Sequence, residues 1–191
     1  SDLSGNRYDR DDTLWSPRMG AIWQPGDAAT YYASYGTSYN TSGDTYQFAL
    51  GSFAAGSNNA RTANTAPEKS RNLEIGSKFE LFEKKALLGV AMFHSEKYNE
   101  RNTDPDSAAS QMLLSGQRHA TGMEFNFAGR ITPAWEVFYN HTWIPEARID
   151  VSNQTLSANG TGAQVQGDRS ALTPKHSASL WTTWRLHPLW R

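Results

Sequence analysis

A period of two in the apolar residues narrows most sharply what this chain can become. In NLEIGSKFEL (72–81), Leu73, Ile75, Phe79 and Leu81 fall on one parity, and Asn72, Glu74, Lys78 and Glu80 on the other. Successive side chains of an extended strand point to opposite faces, so this stretch makes a ribbon greasy on one side and charged on the other. The pattern recurs. Tyr31, Ala33, Tyr35 and Tyr39 share a parity in 29–39, with Thr37 and Tyr32 as misfits. Met123, Phe125, Phe127 and Ile131 alternate against Gly122, Glu124, Asn126 and Arg130. Trp135, Val137, Tyr139 and Trp143 form another such face, and Ala178, Leu180, Trp184 and Leu186 a last one.

These patterns predict about seven strands, near 15–24, 29–40, 71–81, 86–98, 111–131, 135–146 and 174–187. ALLGVAMFH (86–94) is apolar on both parities, so periodicity does not orient it. Ile75, Phe79, Phe82 and Ala86 also sit at helical spacing, but Gly76 interrupts a helix there and the alternation before Phe82 is stronger. Pro17 stands near the start of the first strand, where a missing N–H is tolerated.

No run approaches the eighteen or so apolar residues of a membrane helix. A transmembrane β-barrel escapes that test, because its strands need apolar residues only at alternate positions. A net charge of −1 gives no electrostatic argument for a nucleic-acid partner, and the absence of cysteine excludes thiolate metal sites and disulfides.

The connections carry as much information as the strands. QPGD (24–27), FEKK (82–85) and TPA (132–134) are short and turn-like, whereas roughly 41–70, 100–110 and 148–172 are long and polar. Short and long connections alternate, so an antiparallel meander would be trimmed at one end and elaborated at the other. Outer-membrane barrels do this, with short periplasmic turns and long extracellular loops. The expected fold is therefore all-β: part of an antiparallel transmembrane β-barrel. An odd count of seven strands, with polar sequence at the start and HPLWR at the end, suggests an excerpt of a larger barrel. The rival reading is a β-sandwich whose aromatics pack inward, such as a secreted carbohydrate-binding module.

SPRMGAIWQP, ATYYASYGTSYN, PEKSRNLEIGSKFELFEKKALLGVAMFHSEKYNERNTDP, GQRHATGMEFNFAGRITPAWEVFYNHTWIPEARI and ALTPKHSASLWTTWRL follow one another along nearly the whole chain. In that order and spacing they resemble the C-terminal part of the barrel of a TonB-dependent siderophore receptor, nearest to the catecholate type. The E-x-G-x-K of Glu74, Gly76 and Lys78, the G-x-E of Gly122 and Glu124, and the P-x-H-S of Pro174, His176 and Ser177 carry the likeness. The resemblance implies a 22-stranded barrel in the bacterial outer membrane, a plug domain and TonB box lying outside this sequence, and uptake of ferric siderophore driven through TonB–ExbB–ExbD. It implies a transporter rather than an enzyme, with no resident cofactor and the ferric siderophore as cargo. A passive porin or adhesin barrel is the alternative within the same architecture.

On the barrel reading, Leu73, Ile75, Phe79 and Leu81 face outer-membrane lipid, while Arg18, Glu74, Lys78, Glu124 and Arg130 face a wet lumen or the plug. Trp15, Trp23, Tyr31, Tyr39, Trp135 and Trp143 lie toward strand ends, where amphipathic rings suit the interfaces. A ferric catecholate is a bulky aromatic trianion, and its pocket wants cations and flat rings. Arg61, Arg101, Arg118 and Arg169, with Tyr46, Phe48, Phe53 and Tyr98, are the candidates in or near the long loops; for any one arginine a solvated loop charge is the plainer reading. The five histidines show no metal-binding spacing, the Asp9–Asp11–Asp12 run lacks an EF-hand pattern, and no nucleophile–base pair can be argued.

Overall fold

The computed structural model describes residues 11, 13–40, 67–103, 111–152 and 165–186, with the backbone alone at 101–103 and 111–115. Seven strands run in chain order across one antiparallel sheet: β1 (Arg18–Gly26), β2 (Ala29–Asn40), β3 (Glu68–Leu81), β4 (Ala86–Thr103), β5 (Gln111–Thr132), β6 (Trp135–Val151) and β7 (His176–Trp184). Every neighbour in sequence is a neighbour in space, and no helix occurs among the described residues. β3, β4 and β6 run further toward the long connections than the hydrophobic pattern indicated, because their distal ends are charged and carry no alternation.

Two-residue turns join β1 to β2 and β5 to β6, and four residues join β3 to β4. In that last turn Phe82, Glu83 and Lys84 all take left-handed φ angles of 54°, 56° and 66°. Side chains normally avoid this region; here the turn is closed by Lys85 N donating to Leu81 O at 3.0 Å.

Cross-strand register sorts the side chains into two faces. On one face Ala33, Ile75, Met92, Met123, Trp143 and His176 are successive neighbours from β2 to β7. Nearer the short turns, Phe79, Leu88, Phe127, Tyr139 and Leu180 form a parallel row. These apolar residues do not pack into a core. Leu73 is 50%, Ile75 51% and Phe125 39% exposed, and the only buried apolar side chains among the described residues are Ala86, Ala91, Ala147 and Ile149. A sandwich would have hidden the first three. A face this apolar and this open needs an apolar solvent.

The band has borders. At the turn end Trp23 stacks on Tyr31 at 5.3 Å, Tyr31 meets the edge of Phe79 at 5.9 Å, and Trp135 lies 5.6 Å from Trp184. Toward the long connections Trp143 stacks on His176 at 6.3 Å. From Phe79 to Leu73 the strand rises roughly 20 Å, close to the apolar band of a bacterial barrel, about 25 Å tall. Beyond it the same face turns charged: Arg71, Glu96, His119 and Arg148 are successive partners on β3, β4, β5 and β6. β5, at 22 residues, is long enough to cross the band and continue past it.

Candidate functional site

The opposite face carries the polar chemistry. Arg18, Glu74, Lys78, Glu124 and Arg130 all lie on it, since their register partners are Gly36, Ser34, Thr30, Ala91 and Glu136. The E-x-G-x-K stretch makes a seat for one ring. Tyr32 is the partner of Gly76, and a Cβ on that glycine would stand 2.5 Å from the ring. With the space free, the Tyr32 hydroxyl donates to Glu74 Oε1 at 2.6 Å, and Lys78 Nζ lies 5.8 Å from the ring centroid. Tyr32, a misfit in the sequence pattern, is thus the residue around which the motif is built. Gly122 repeats the device for Phe93, whose ring a Cβ there would approach to 2.7 Å.

Near the short turns, Arg130 donates from Nε and Nη2 to Glu136 Oε1 at 3.1 and 2.6 Å. Beside this pair the polar face breaks its own rule. Leu87, Ala128, Phe138 and Trp181 are successive neighbours across β4 to β7 and form an apolar row. Sequence reasoning passed over this row. Its signal was present as aromatics off the dominant parity in WEVFYNHTW and HSASLWTTW.

Toward the long connections the face holds a network of four charges. Lys97 Nζ lies 3.3 Å from Glu68 and 3.7 Å from Glu100, and Arg118 bonds to Glu100. Burial pushes the Glu100 carboxyl up, against the opposing pull of Arg118 and Lys97. Ser38 pairs with Ser70, and the Ser95 hydroxyl donates to Asn72 Oδ1. Short side chains leave a hollow of about 700 Å³, with Lys97 and Arg118 on its wall and residues 170–173 as its lip.

That lip is deliberately held. Arg169 donates Nε to Thr173 O at 2.9 Å, Nη1 to Pro145 O at 3.2 Å and Nη2 to Ile144 O at 2.7 Å. Its guanidinium therefore anchors backbone. Ser170 N donates to Ala147 O at 3.1 Å, while the Ser170 hydroxyl, in a residue only 6% exposed, has no hydrogen-bond partner among the described residues. A buried hydroxyl without a partner costs free energy unless something else satisfies it. Leu172 projects fully exposed from the lip in a left-handed conformation, φ 55°.

Of the candidate ligand residues, the structure puts Arg118 in this hollow. Arg101 pairs with Leu113 along the backbone of β4 and β5. Tyr46, Phe48, Phe53 and Arg61 lie outside the described residues. Tyr98 is on the other face, where its ring sits 4.9 Å from the Arg71 guanidinium, so it does not join Arg118. No group of three or more His, Asp or Glu side chains among the described residues is arranged to hold a metal ion. His141 Nε2 and His176 Nδ1 lie 3.1 Å apart on the apolar face.

Neighbouring side chains shift His119 and Glu96 in the charged belt of the outer face. Hydrogen bonding to Asp150 at 2.8 Å raises the His119 imidazole above its ordinary range, with Glu146 adding to the effect against partial burial. The Tyr98 hydroxyl, donating at 2.6 Å, lowers Glu96.

The family model described as TonB dependent receptor-like, beta-barrel matches residues 1–191. A probable TonB-dependent receptor, BfrD of Bordetella pertussis, is 31% identical over 183 residues, 95% of this chain and 22% of the relative. The catecholate siderophore receptor Fiu of Escherichia coli K12 is 29% identical over 173 residues, 90% of this chain and 21% of Fiu. The crystal structure of the siderophore receptor PiuA from Acinetobacter baumannii aligns with a TM-score of 0.63 at 23% identity, over 90% of this chain and 24% of that one. The chain thus spans between a fifth and a quarter of the length of these relatives.

Proposed function

The chain belongs to the TonB-dependent receptor β-barrel family of the bacterial outer membrane, and from that membership we propose that it walls a receptor that binds ferric siderophore and passes it inward. A ferric catecholate is the first cargo to test, since Fiu, named as a catecholate receptor, is among the relatives. The observation that carries this reading is the inner-face hollow, with Ser38, Ser70, Asn72 and Ser95 among its lining and Arg118 and Lys97 on its wall. Hydroxyl and amide groups there suit the oxygens of a catecholate, and fixed cations suit its negative charge. Glu68 and Glu100 offset those cations, so attraction is local to the wall rather than spread through the lumen. The apolar row Leu87–Ala128–Phe138–Trp181 suits contact with a plug domain filling the barrel near the short turns. Through such a plug, TonB–ExbB–ExbD would supply the energy.

The test is uptake of radioactive iron, presented as ferric tris(2,3-dihydroxybenzoate), by iron-starved cells expressing the intact receptor. Uptake should stop when the proton gradient is collapsed, and iron-free ligand should compete poorly. Uptake indifferent to the gradient would instead identify a passive pore, and energised uptake of other ferric siderophores alone would remove the catecholate assignment.

A further inference from the structure

The lip of the inner-face hollow is a local break in strand pairing that sets one leucine in the open. β6 is paired on both sides of the break: Trp143 with His176 on one, and Arg148 with Arg169 on the other. Between those pairs β6 covers 143–148 while the facing chain covers 169–176, two residues more. The surplus leaves the sheet as a bend over residues 171–174. Both of its feet are tied, by Ser170 N donating to Ala147 O at 3.1 Å and by Ile144 N donating to Lys175 O at 2.8 Å. Inside the bend the Thr173 hydroxyl donates to Ala171 O at 3.2 Å. Arg169 spans the base through the carbonyls of Thr173, Ile144 and Pro145. These ties hold the bend in one shape.

That shape presents Leu172 in two unfavourable ways. Its φ of 55° lies in a region that a leucine enters at a cost and that glycine or asparagine occupies more readily. Its side chain is also fully exposed. A strained residue that its surroundings hold in place points to use of the strained conformation. The surroundings also indicate the use. Ser38, Ser70, Asn72 and Ser95 give the hollow short polar groups, and Lys97 and Arg118 give it cations. Leu172 is the one large apolar side chain among the described residues that line it.

We propose that Leu172 is the apolar grip of the cargo site and selects for ferric complexes with an aromatic rim; this rests on the catecholate reading of the hollow. A ferric tris-catecholate carries its negative charge on the oxygens around the iron and turns the carbon edges of its rings outward. Lys97 and Arg118 meet the charge, and Leu172 covers a ring edge that would otherwise stay in water. A ferric complex polar over its whole surface gains nothing from the leucine.

Binding of ferric tris(2,3-dihydroxybenzoate) to the intact receptor in detergent, read by quenching of tryptophan fluorescence, tests this together with urea unfolding in lipid vesicles. Leu172→Gly and Leu172→Asn relieve the strain and remove the grip. They should bind roughly ten- to a hundredfold more weakly, the worth of burying one leucine side chain, with no fall in the unfolding midpoint. Leu172→Met keeps the apolar bulk and should keep most of the affinity. The loss in the glycine variant should be equal at low and high salt, since no charge is removed. A glycine variant that binds as wild type does would overturn the grip and leave the catecholate reading standing. So would a loss that comes with a lower unfolding midpoint, which marks Leu172 as internal packing, or a loss that vanishes at high salt. Wild-type receptor that does not bind this complex would overturn the catecholate reading, and the grip with it.

Discussion

The two halves of this sheet share β2 to β6 and live in different solvents. Near the short turns the strands are apolar outward and, apart from β4 and the Leu87–Ala128–Phe138–Trp181 row, mostly polar inward. Near the long connections, both faces are charged: Arg71, Glu96, His119 and Arg148 on one, Glu68, Lys97, Glu100 and Arg118 on the other. Antiparallel pairing of β2 to β6 runs from one half into the other, with register shifts in both, so pairing alone does not mark the change. The alternation does. It lasts as long as one side meets hydrocarbon, and it ends where both sides meet water.

The sharpest way to break this comparison is to place one charge in each half. Ile75→Arg sets a guanidinium in the middle of the apolar band and should cost about 2–4 kcal/mol, whereas Gln117→Arg, on the same face in the charged half, should cost about 0–1 kcal/mol. Urea unfolding of the intact receptor in lipid vesicles measures both, and equal costs would dissolve the distinction. A second pair compares ion pairs on the inner face. Arg118→Met leaves the buried Glu100 carboxylate with Lys97 as its remaining cation and should cost about 1–3 kcal/mol. Arg130→Met, breaking the exposed pair with Glu136, should cost no more than about 1 kcal/mol in the same assay.

Gly76→Ala probes the half where the inner face is shaped by close approach. The added methyl meets the Tyr32 ring, so about 1–3 kcal/mol should be lost. Most of that cost should vanish in a Tyr32→Ala background; additive losses would show that the ring does not set the requirement for glycine.

The smallest effect is a pH dependence of the charged half. His119 is raised above its ordinary pKa of 6.5, so its contribution is complete below about 6.5 and is lost as pH rises through the raised folded-state value. Wild type minus His119→Gln, compared by unfolding across that range, should shrink steadily toward alkaline pH. A difference that grows with pH would reverse the assigned role of Asp150 and Glu146.

How much of this could be read from residues alone follows the same division. The strands and short turns were legible because lipid imposes a strict period of two, as at Leu73, Ile75 and Phe79. ALLGVAMFH resisted orientation because Leu87 and Phe93 are apolar on the inner face, a feature that only the register with Ala128 and Gly122 explains. The charged extensions of β3, β4 and β6 were invisible for the opposite reason, since water on both sides removes any pattern. Of the residues around the hollow, Arg118 could be singled out as a loop-side cation, whereas Ser170 and Leu172 take their places through the backbone that Arg169 clamps, and no local motif announces a clamp between Arg169 and the carbonyls of residues 144 and 145.

The central claim is that odd-numbered residues of β3 from Leu73 to Phe79 touch hydrocarbon and even-numbered ones do not. These 191 residues contribute no cysteine, so in a receptor with any cysteine elsewhere replaced, single cysteines can be introduced one at a time from Arg71 to Leu81 and labelled with a nitroxide. Collision rates with oxygen dissolved in the lipid, and with a charged nickel chelate in the water, then report each position's surroundings in reconstituted receptor. The account predicts oxygen contact at 73, 75, 77 and 79, chelate contact at 72, 74, 76 and 78, and loss of the alternation at 71. Uniform accessibility along the strand, or chelate contact at the apolar positions, would contradict it.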